Sequence, residues 1–487
     1  MNYDNLSDFI SELEDERELV RISAEVDPVL EIAAITDRLC KGAEEGPAVF
    51  FENVSGHSVP VVTNLLGSRH RLCKALRVDS FDQLAARIAG LIQPDLPDSW
   101  TAALKLVPQI TQLTRLPPKS VRSGVCQQVV KMGRDVDLAE LPFPQIWPND
   151  AGPTITAGQV FTKHPETGAR NVGLYSLEIR DRNTLAVHWN ERQGGWNNFR
   201  AYQQAGRPMP LAVSLGGDPA FVYMARAPLP ANTDECLLGG FLRGKNIELV
   251  GCRSVDLEVP AFAEIVLEGT IDPMAPLSES GPIGTETGFY SVRSEQPVME
   301  VTSITHRSNP ICPVMIPGQP PTESDWLHQA TTRLLLPFVR LFLPDIVDIN
   351  RPRCGAYRNL LFVSLRKRHP QQARQVMNAL WGLDSLTTSK MIVVVDEQVN
   401  VQDEQEVWFH VGTNSHPGRD VLFCEGPADP ADHAAPIRGL GHKMGIDATA
   451  KLPREGHPRP WPAALQMTAD ITDLIARRWQ EYGFDAR

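Results

Sequence analysis

The chain has 487 residues, 42% of them hydrophobic and 22% charged, with a formal net charge of −12. That length calls for two or three domains, each large enough to bury its own core. The acidic balance argues against a surface that coats nucleic acid, and the longest apolar runs, Leu334 to Phe338 and Met391 to Val395, are far too short to span a bilayer.

The N-terminus lacks a basic region followed by an apolar core, so no secretory signal is expected. Eight scattered cysteines without a C-x-x-C pair fit a reducing cytoplasm and argue against a cysteine-based zinc site.

In chain order, Asn5 can cap a helix carrying Phe9, Ile10 and Leu13 on one face. Leu19 to Ile22 reads as a strand, and Asp27-Pro28 as a helix start, with the cap followed by proline. Ala48 to Phe51 and Pro60 to Leu66 read as strands, and Ser80-Phe81-Asp82-Gln83 as a capping box. The alternation predicts an α/β domain over residues 1–115, closed by the proline-rich stretch Gln93 to Ser120.

From Gly124 the pattern changes to short strands between Gly, Pro and Asp turns. They include Gln127 to Lys131, Thr154 to Thr162, Pro210 to Leu215, Phe221 to Met224, Ile247 to Val250, Glu264 to Leu267, Val298 to Ile304 and Ile311 to Ile316. Such spacing predicts an antiparallel barrel or sandwich over 116–320. Residues 321–487 turn α/β again, with helices at Thr322 to Phe342 and Gln371 to Leu380 and strands at Leu360 to Leu365 and Lys390 to Val395. A proline-rich arm then leads to an amphipathic helix, about Ala463 to Tyr482. The fold class expected is α+β.

The most informative stretch is Ala169 to Gly195. Val172 to Ile179 and Thr184 to Trp189 read as a hairpin, with Asp181-Arg182-Asn183 at its turn. The stretch carries Asn171, Tyr175, His188, Trp189, Asn190, Arg192, Gln193 and a Gly194-Gly195 pair. Those groups can hydrogen-bond, stack on a ring and leave backbone open to a phosphate. An ordinary amphipathic hairpin is the alternative from pattern alone.

These residues resemble the UbiD family of flavin-dependent decarboxylases, almost end to end. The shared runs include Val26-Asp27-Pro28, Phe51-Glu52-Asn53, Cys126-Gln127-Gln128 and Asn171-Val172-Gly173-Leu174-Tyr175. Others are Glu264 to Gly269, Gly281-Pro282-Ile283-Gly284 and Gly439-Leu440-Gly441 with Lys443 to Thr449.

The resemblance implies an N-terminal α/β domain, a central split β-barrel that binds flavin, and a C-terminal α/β domain used in oligomerisation. It implies a cytoplasmic homo-oligomer, a dimer or hexamer. It implies prenylated FMN, supplied by a flavin prenyltransferase and held by a divalent metal (manganese, magnesium or iron) and potassium. The modified flavin takes up the electron pair left on an sp2 carbon when CO2 departs.

By resemblance, Asn171 and Glu235 fall on the family's metal-binding Asn and Glu. The flavin-contact segments fall on Leu174, Tyr175 and Ser176, on His188, Trp189 and Asn190, and on Gln193-Gly194. Lys443 reaches either the site or an interface.

The departures lie in the chemistry. The family's catalytic Arg is Ser176 here, one acid is Ser280, and the acid assigned as proton donor is Thr285. Arg192 stands where the family has a metal-binding His; it can contact the phosphate itself, or His188 can supply the imidazole. Glu279 and Glu286 sit one residue from the vacated acid positions, a displacement a loop absorbs and a strand does not. An activated acid such as phthaloyl-CoA, which stabilises its own carbanion, suits this loss. A free hydroxybenzoate (including polyprenyl-4-hydroxybenzoate) and a non-catalytic flavin-binding subunit are the alternatives. The segment Arg366-Lys367-Arg368-His369 reads as a charged turn or as a contact for CoA phosphates.

Overall fold

A computed structural model describes residues 3, 5–42, 45–92, 116–229 and 233–484. Most of the crossing segment expected between Gln93 and Ser120 lies outside the described residues. The first helix, Leu6–Asp15, starts where expected, with the Asn5 side chain accepting from Asp8 N at 2.9 Å. The second starts later than Pro28. Leu30 N donates to Gln145 O, which holds Leu30 at φ 70°, so the helix runs Glu31–Cys40.

Three sheets organise the chain. The N-terminal sheet has the order Leu19–Val26, Ala48–Val54, Val61–Thr63 and Cys312–Val314. Its last strand arrives from beyond the central sheet, so the apolar run at 311–316 belongs to this layer. The C-terminal sheet has the order Ile346–Asn350, Leu360–Leu365, Met391–Asp396, Leu440–Asp447 and Val421–Pro427. Helix Glu323–Phe342 links the two outer layers. Thr322 and Asp325 close a capping box at its start, and it packs on helix Phe81–Ile92 at one side and on the C-terminal sheet at the other.

The central sheet positions the site. Its path is Thr154–Ile155, Leu177–Ile179, Thr184–Val187, Val298–His306, Ile265–Ile271, Met209–Leu215, Gln159–Lys163 and Arg170–Leu174, with Val129–Met132 paired to Val298–His306. All its pairs are antiparallel.

The stretch Val172 to Ile179, expected as one strand, is two. Arg170–Leu174 is the last strand of the path, and Leu177–Ile179 is the second. Only Tyr175 and Ser176 join them, and three Cα–Cα steps reach about 11 Å at most. The two ends of the sheet therefore lie side by side, and the sheet curls into a half-barrel split at Tyr175-Ser176.

Residues 221–224, expected as a strand, form the helix Ala220–Met224, because Asp218 caps it by accepting from Ala220 N at 2.9 Å. Four apolar residues are too few for periodicity to separate the two states. The expected terminal helix is shorter than predicted, Ala469–Arg478, and every residue from 462 to 484 is exposed. All eight cysteines are free. Among the described residues no helix is long and apolar enough to cross a membrane.

Candidate active site

At the split, a cavity of about 770 Å³ opens between the half-barrel and the C-terminal domain. Asn171, Leu174, Tyr175, Arg192, Gln193, Gly194 and Glu235 line one side, and Arg351, Arg358 and Asp429 line the other. Seven of the residues singled out from sequence thus meet in one place.

Helix Gly194–Ala205 points its N-terminus into the cavity. Unpaired backbone N–H groups and the helix dipole suit an anion there. Gly194 is required by close approach: a Cβ at this position would lie 1.9 Å from Asn171 Oδ1. Glu235 opens helix Glu235–Arg243, and its carboxylate accepts from Val172 N at 2.8 Å. Burial pushes this carboxyl up to about 7.

Two hard oxygens, Asn171 Oδ1 and the Glu235 carboxylate, therefore lie beside the N-terminal end of this helix. This fits a phosphate bridged to a hard divalent cation. Among the described residues no cluster of three or more His, Cys, Asp or Glu side chains is placed to hold a metal, so phosphate oxygens and water would complete such a shell.

Glu286 lies behind the cavity wall, against three of its lining residues. Its two oxygens lie 2.7 Å from the Arg226 guanidinium, and one lies 3.0 Å from Arg358 Nη1 and 3.1 Å from His328 Nε2. Arg226, Arg358 and His328 all line the cavity. The Arg226 guanidinium and the contact with His328 outweigh burial and hold the Glu286 carboxyl well below the usual range, and burial lowers His328 to about 4. A carboxylate held ionised in this way is a poor proton donor.

Glu279 is also removed from donor duty. Residues Ser278–Ser280 form a strand paired with Ser294–Gln296, so Glu279 and Ser280 face opposite sides. Glu279 faces solvent beside Arg293 at 2.8 Å, whereas Ser280 is 1% exposed. Thr285 is tied within its own loop, to Thr287 Oγ1 at 2.7 Å and Phe289 O at 2.8 Å. Ser176 sits half-buried at the split, and its carbonyl accepts from His188 N at 3.0 Å.

The remaining predicted residues support the wall. Trp189 packs edge-on to Tyr175 with ring centres 6.0 Å apart, and Tyr175 Oη accepts from Gly195 N at 3.3 Å. Asn190 and Gln193 brace each other, with Asn190 N donating to Gln193 Oε1 at 2.9 Å. Arg192 crosses the cavity mouth to pair with Asp384. His188 Nε2 faces Ser280 and Glu178, so the structure does not bring it to Asn171 and Glu235. Lys443 lies one layer behind the wall, its Nζ donating to Thr387 O beside the lining residue Thr388. Arg366, Lys367 and Arg368 are paired with Glu397, Glu455 and Asp345 respectively, which accounts for the charged turn.

Sequence reasoning missed Glu178, Arg226, His328, Arg351 and Arg358. A charged residue inside an apolar run marks Glu178 and Arg226; the other three sit on the C-terminal side of the cavity and carry no local signal.

Three family models match the chain, described as the N-terminal domain (residues 10–88), the Rift-related domain (119–320) and the C-terminal domain (325–448) of 3-octaprenyl-4-hydroxybenzoate carboxy-lyase. A relative from Aquifex aeolicus is 42% identical over 483 residues, covering 99% of each chain.

Vanillic acid decarboxylase of Sedimentibacter hydroxybenzoicus in its closed form superposes with a TM-score of 0.87 at 28% identity over the whole of both chains; its open form gives 0.79. The UbiD-class enzyme HmfF of Pelotomaculum thermopropionicum, in an evolved dimeric form in complex with prFMN, superposes with a TM-score of 0.76 at 30% identity, covering 96% of this chain and 100% of that one. With its three domains matched in order and its half-barrel split at Tyr175-Ser176, this chain belongs to the UbiD family of carboxy-lyases.

Proposed function

We propose that this protein removes CO2 non-oxidatively and reversibly from an aromatic carboxylic acid, using prenylated FMN bound in the cavity at the split. The observation that carries this reading is the half-buried Glu235, without an ion-pair partner among the described residues, beside Asn171 and the Gly194 helix end. On this reading Asn171 and Glu235 hold a divalent metal against the flavin phosphate, a potassium ion completes the neutralisation, and Tyr175 and Gln193-Gly194 bound the flavin. The cofactor, when bound, supplies the electron sink for the departing carboxylate. The protein orients the acid against it, with the Glu286–Arg358 tie holding the far wall in place.

The substrate we favour is an activated aromatic acid, phthaloyl-CoA being the first to test, with benzoyl-CoA and CO2 as products. Its support is the uncharged set Ser176, Ser280 and Thr285 together with a Glu286 locked by two arginines. An ortho thioester withdraws electron density and lowers the demand on the protein's acid–base groups. A free hydroxybenzoate is the second reading, favoured by the buried Glu178 beside His188.

The chain acts as a homo-oligomer and receives its cofactor from a flavin prenyltransferase. The exposed face of Ile471, Leu474 and Ile475 on its terminal helix supports subunit contact.

The test is an anaerobic assay of protein co-produced with a flavin prenyltransferase, following CO2 and product mass from phthaloyl-CoA, phthalate and 4-hydroxybenzoate. Turnover of the thioester alone upholds the activated-acid reading. Turnover of a free acid transfers the assignment to the second reading, and turnover of none overturns both.

A further inference from the structure

Five arginines line the cavity: Arg170, Arg192, Arg226, Arg351 and Arg358. Four of them are matched by carboxylates. Arg170 pairs with Asp234 and Glu258, Arg192 with Asp384, Arg226 with Glu286, and Arg358 with Glu286 and Asp429. Arg351 makes no ion pair among the described residues. Its Nη2 donates to Ser385 O at 2.6 Å, and its Nε is buried without a hydrogen-bond partner. Nη1 has no partner among the described residues either, and is the donor left for a ligand.

The local fold explains why this side chain stands apart. The strand Ile346–Asn350, at the edge of the C-terminal sheet, ends one residue before Arg351. Pro352 follows and has no N–H with which to continue a ladder. Its carbonyl accepts from Gly355 N at 3.1 Å and from Tyr357 N at 3.2 Å, closing a turn that delivers both Arg351 and Arg358 to the cavity. Glu286 and Asp429 take up the charge of Arg358, and nothing takes up that of Arg351. Burial, with the Arg358 and Arg226 charges nearby, lowers the Arg351 guanidinium to about 10 in spite of Asp429, so it remains charged at neutral pH. A half-buried cation without a counterion is costly, and an anion entering the cavity relieves that cost.

We propose that Arg351 binds an anionic oxygen group of the substrate, one that stays on the product. This rests on the decarboxylase reading above. On that reading the flavin phosphate lies on the half-barrel side, where the Gly194 helix end, the metal and potassium answer its charge. Arg351 stands on the opposite wall, so the anion left for it is the substrate's. A cation fixed on the carboxylate that departs as neutral CO2 loses its partner in the step. A cation fixed on a group that stays keeps its partner, and binds reactant and transition state alike. Two sources share this chemistry: a second ring carboxylate, as in phthalate, and a phosphate of a CoA tail, as in phthaloyl-CoA. Ser385 and Thr388, from the loop that Arg351 grips, line the same cavity and offer hydroxyls to the remaining oxygens.

The full chain, co-produced with a flavin prenyltransferase, is titrated calorimetrically with phthalate, coenzyme A and benzoate, beside Arg351→Gln and Arg351→Lys. Affinity for phthalate or for coenzyme A should fall roughly 10- to 100-fold in Arg351→Gln, the worth of one hydrogen bond between charged groups. Benzoate binding, and flavin absorbance after gel filtration, should stay at wild type. Arg351→Lys keeps the charge and should recover part of the loss. A loss confined to phthalate identifies a ring carboxylate, and one confined to coenzyme A a phosphate.

Unchanged affinity for both overturns the proposal, as does a wild type that binds neither. An equal loss for benzoate overturns it too, because Arg351 then acts on the leaving carboxylate or only on the packing of the Ser385 loop. Loss of flavin with anion affinity kept moves Arg351 to the flavin phosphate and also overturns it. With an acid that the wild type turns over and that carries the preferred anion, Arg351→Gln should raise KM and leave kcat unchanged. The expected binding pattern without turnover of any acid counts only against the reaction assigned above.

Discussion

Glu235 and Glu286 approach one cavity from opposite sides, and their surroundings differ in kind. Glu235 is half-buried, its carboxylate accepts from backbone N–H groups, and it makes no ion pair among the described residues, so burial raises its pKa to about 7. Glu286 is half-buried between Arg226 and Arg358 with His328 alongside, and Arg226 and His328 override its burial, so its carboxyl stays ionised. The difference separates two uses of a buried acid. One has no cationic partner among the described residues. The other is already spent on tying the half-barrel to the C-terminal domain.

The largest effect expected from this contrast is at Glu235. Glu235→Gln keeps the shape and removes the charge, and should weaken flavin retention on the order of 100-fold or more once a chelator competes for metal. Flavin absorbance after gel filtration reads it; retention equal to wild type in chelator would show that Glu235 binds no metal.

Glu286→Ala should act on the fold instead. It strips Arg226 and half of Arg358's partners and should cost about 3–5 kcal/mol. A thermal melt measures the loss, and turnover should stay within severalfold at temperatures where the variant is folded. A collapse of turnover with an unchanged melt would return Glu286 to the role of donor.

Glu178 offers a pH-resolved version. Its carboxyl is depressed from 4.5 to about 2, which corresponds to roughly 3 kcal/mol at neutral pH. Because the folded value lies below the unfolded one, this contribution is present above about pH 4.5. It is lost as pH falls from there toward 2. Glu178→Gln should therefore be less stable than wild type at pH 7, with the gap closing as the denaturation is repeated at pH 4 and pH 3. A constant gap would mean that the carboxylate's charge is not what the pocket holds.

The half-barrel side of the cavity was legible in the sequence, because its residues are close together along the chain. Asn171 through Tyr175 and Gln193-Gly194 lie within one hairpin-sized stretch. The acid end was not. Ser280 meets Glu178 across 102 positions and His188 across 92, a closure made by the split barrel that no local pattern encodes.

The split itself hid behind an apolar run. Val172 to Ile179 alternates well enough to read as one strand, and only the pairing shows it to be the two ends of a curled sheet. The same long-range closure brings Arg351, Arg358 and Asp429 to the cavity from the C-terminal domain, beyond the reach of any motif. The outer layers were easier. Asn5, Thr322 and the buried run at 391–395 carry caps and apolar patterns that act within a few residues.

The smallest effect expected separates fold from ligand at a single methyl group. Gly194 is the first residue of its helix, and alanine is favoured over glycine in a helix interior by about 1 kcal/mol. Gly194→Ala should therefore leave the melting temperature unchanged or slightly raised. Yet the new Cβ would stand 1.9 Å from Asn171 Oδ1, and the side chain of Asn171 has to turn away to admit it. Turning it costs the fold little, since Asn171 gives up a 3.3 Å hydrogen bond to Thr162 Oγ1 and its contact with the Tyr175 hydroxyl. It costs the ligand site one of its two oxygens. Flavin retention should fall about tenfold, which is 1.4 kcal/mol of binding. An unchanged melt with weakened flavin places the function of Gly194 in the space it leaves for Asn171. A lowered melt with flavin retained would place it in the packing of Gly194-Gly195 against Trp189 instead.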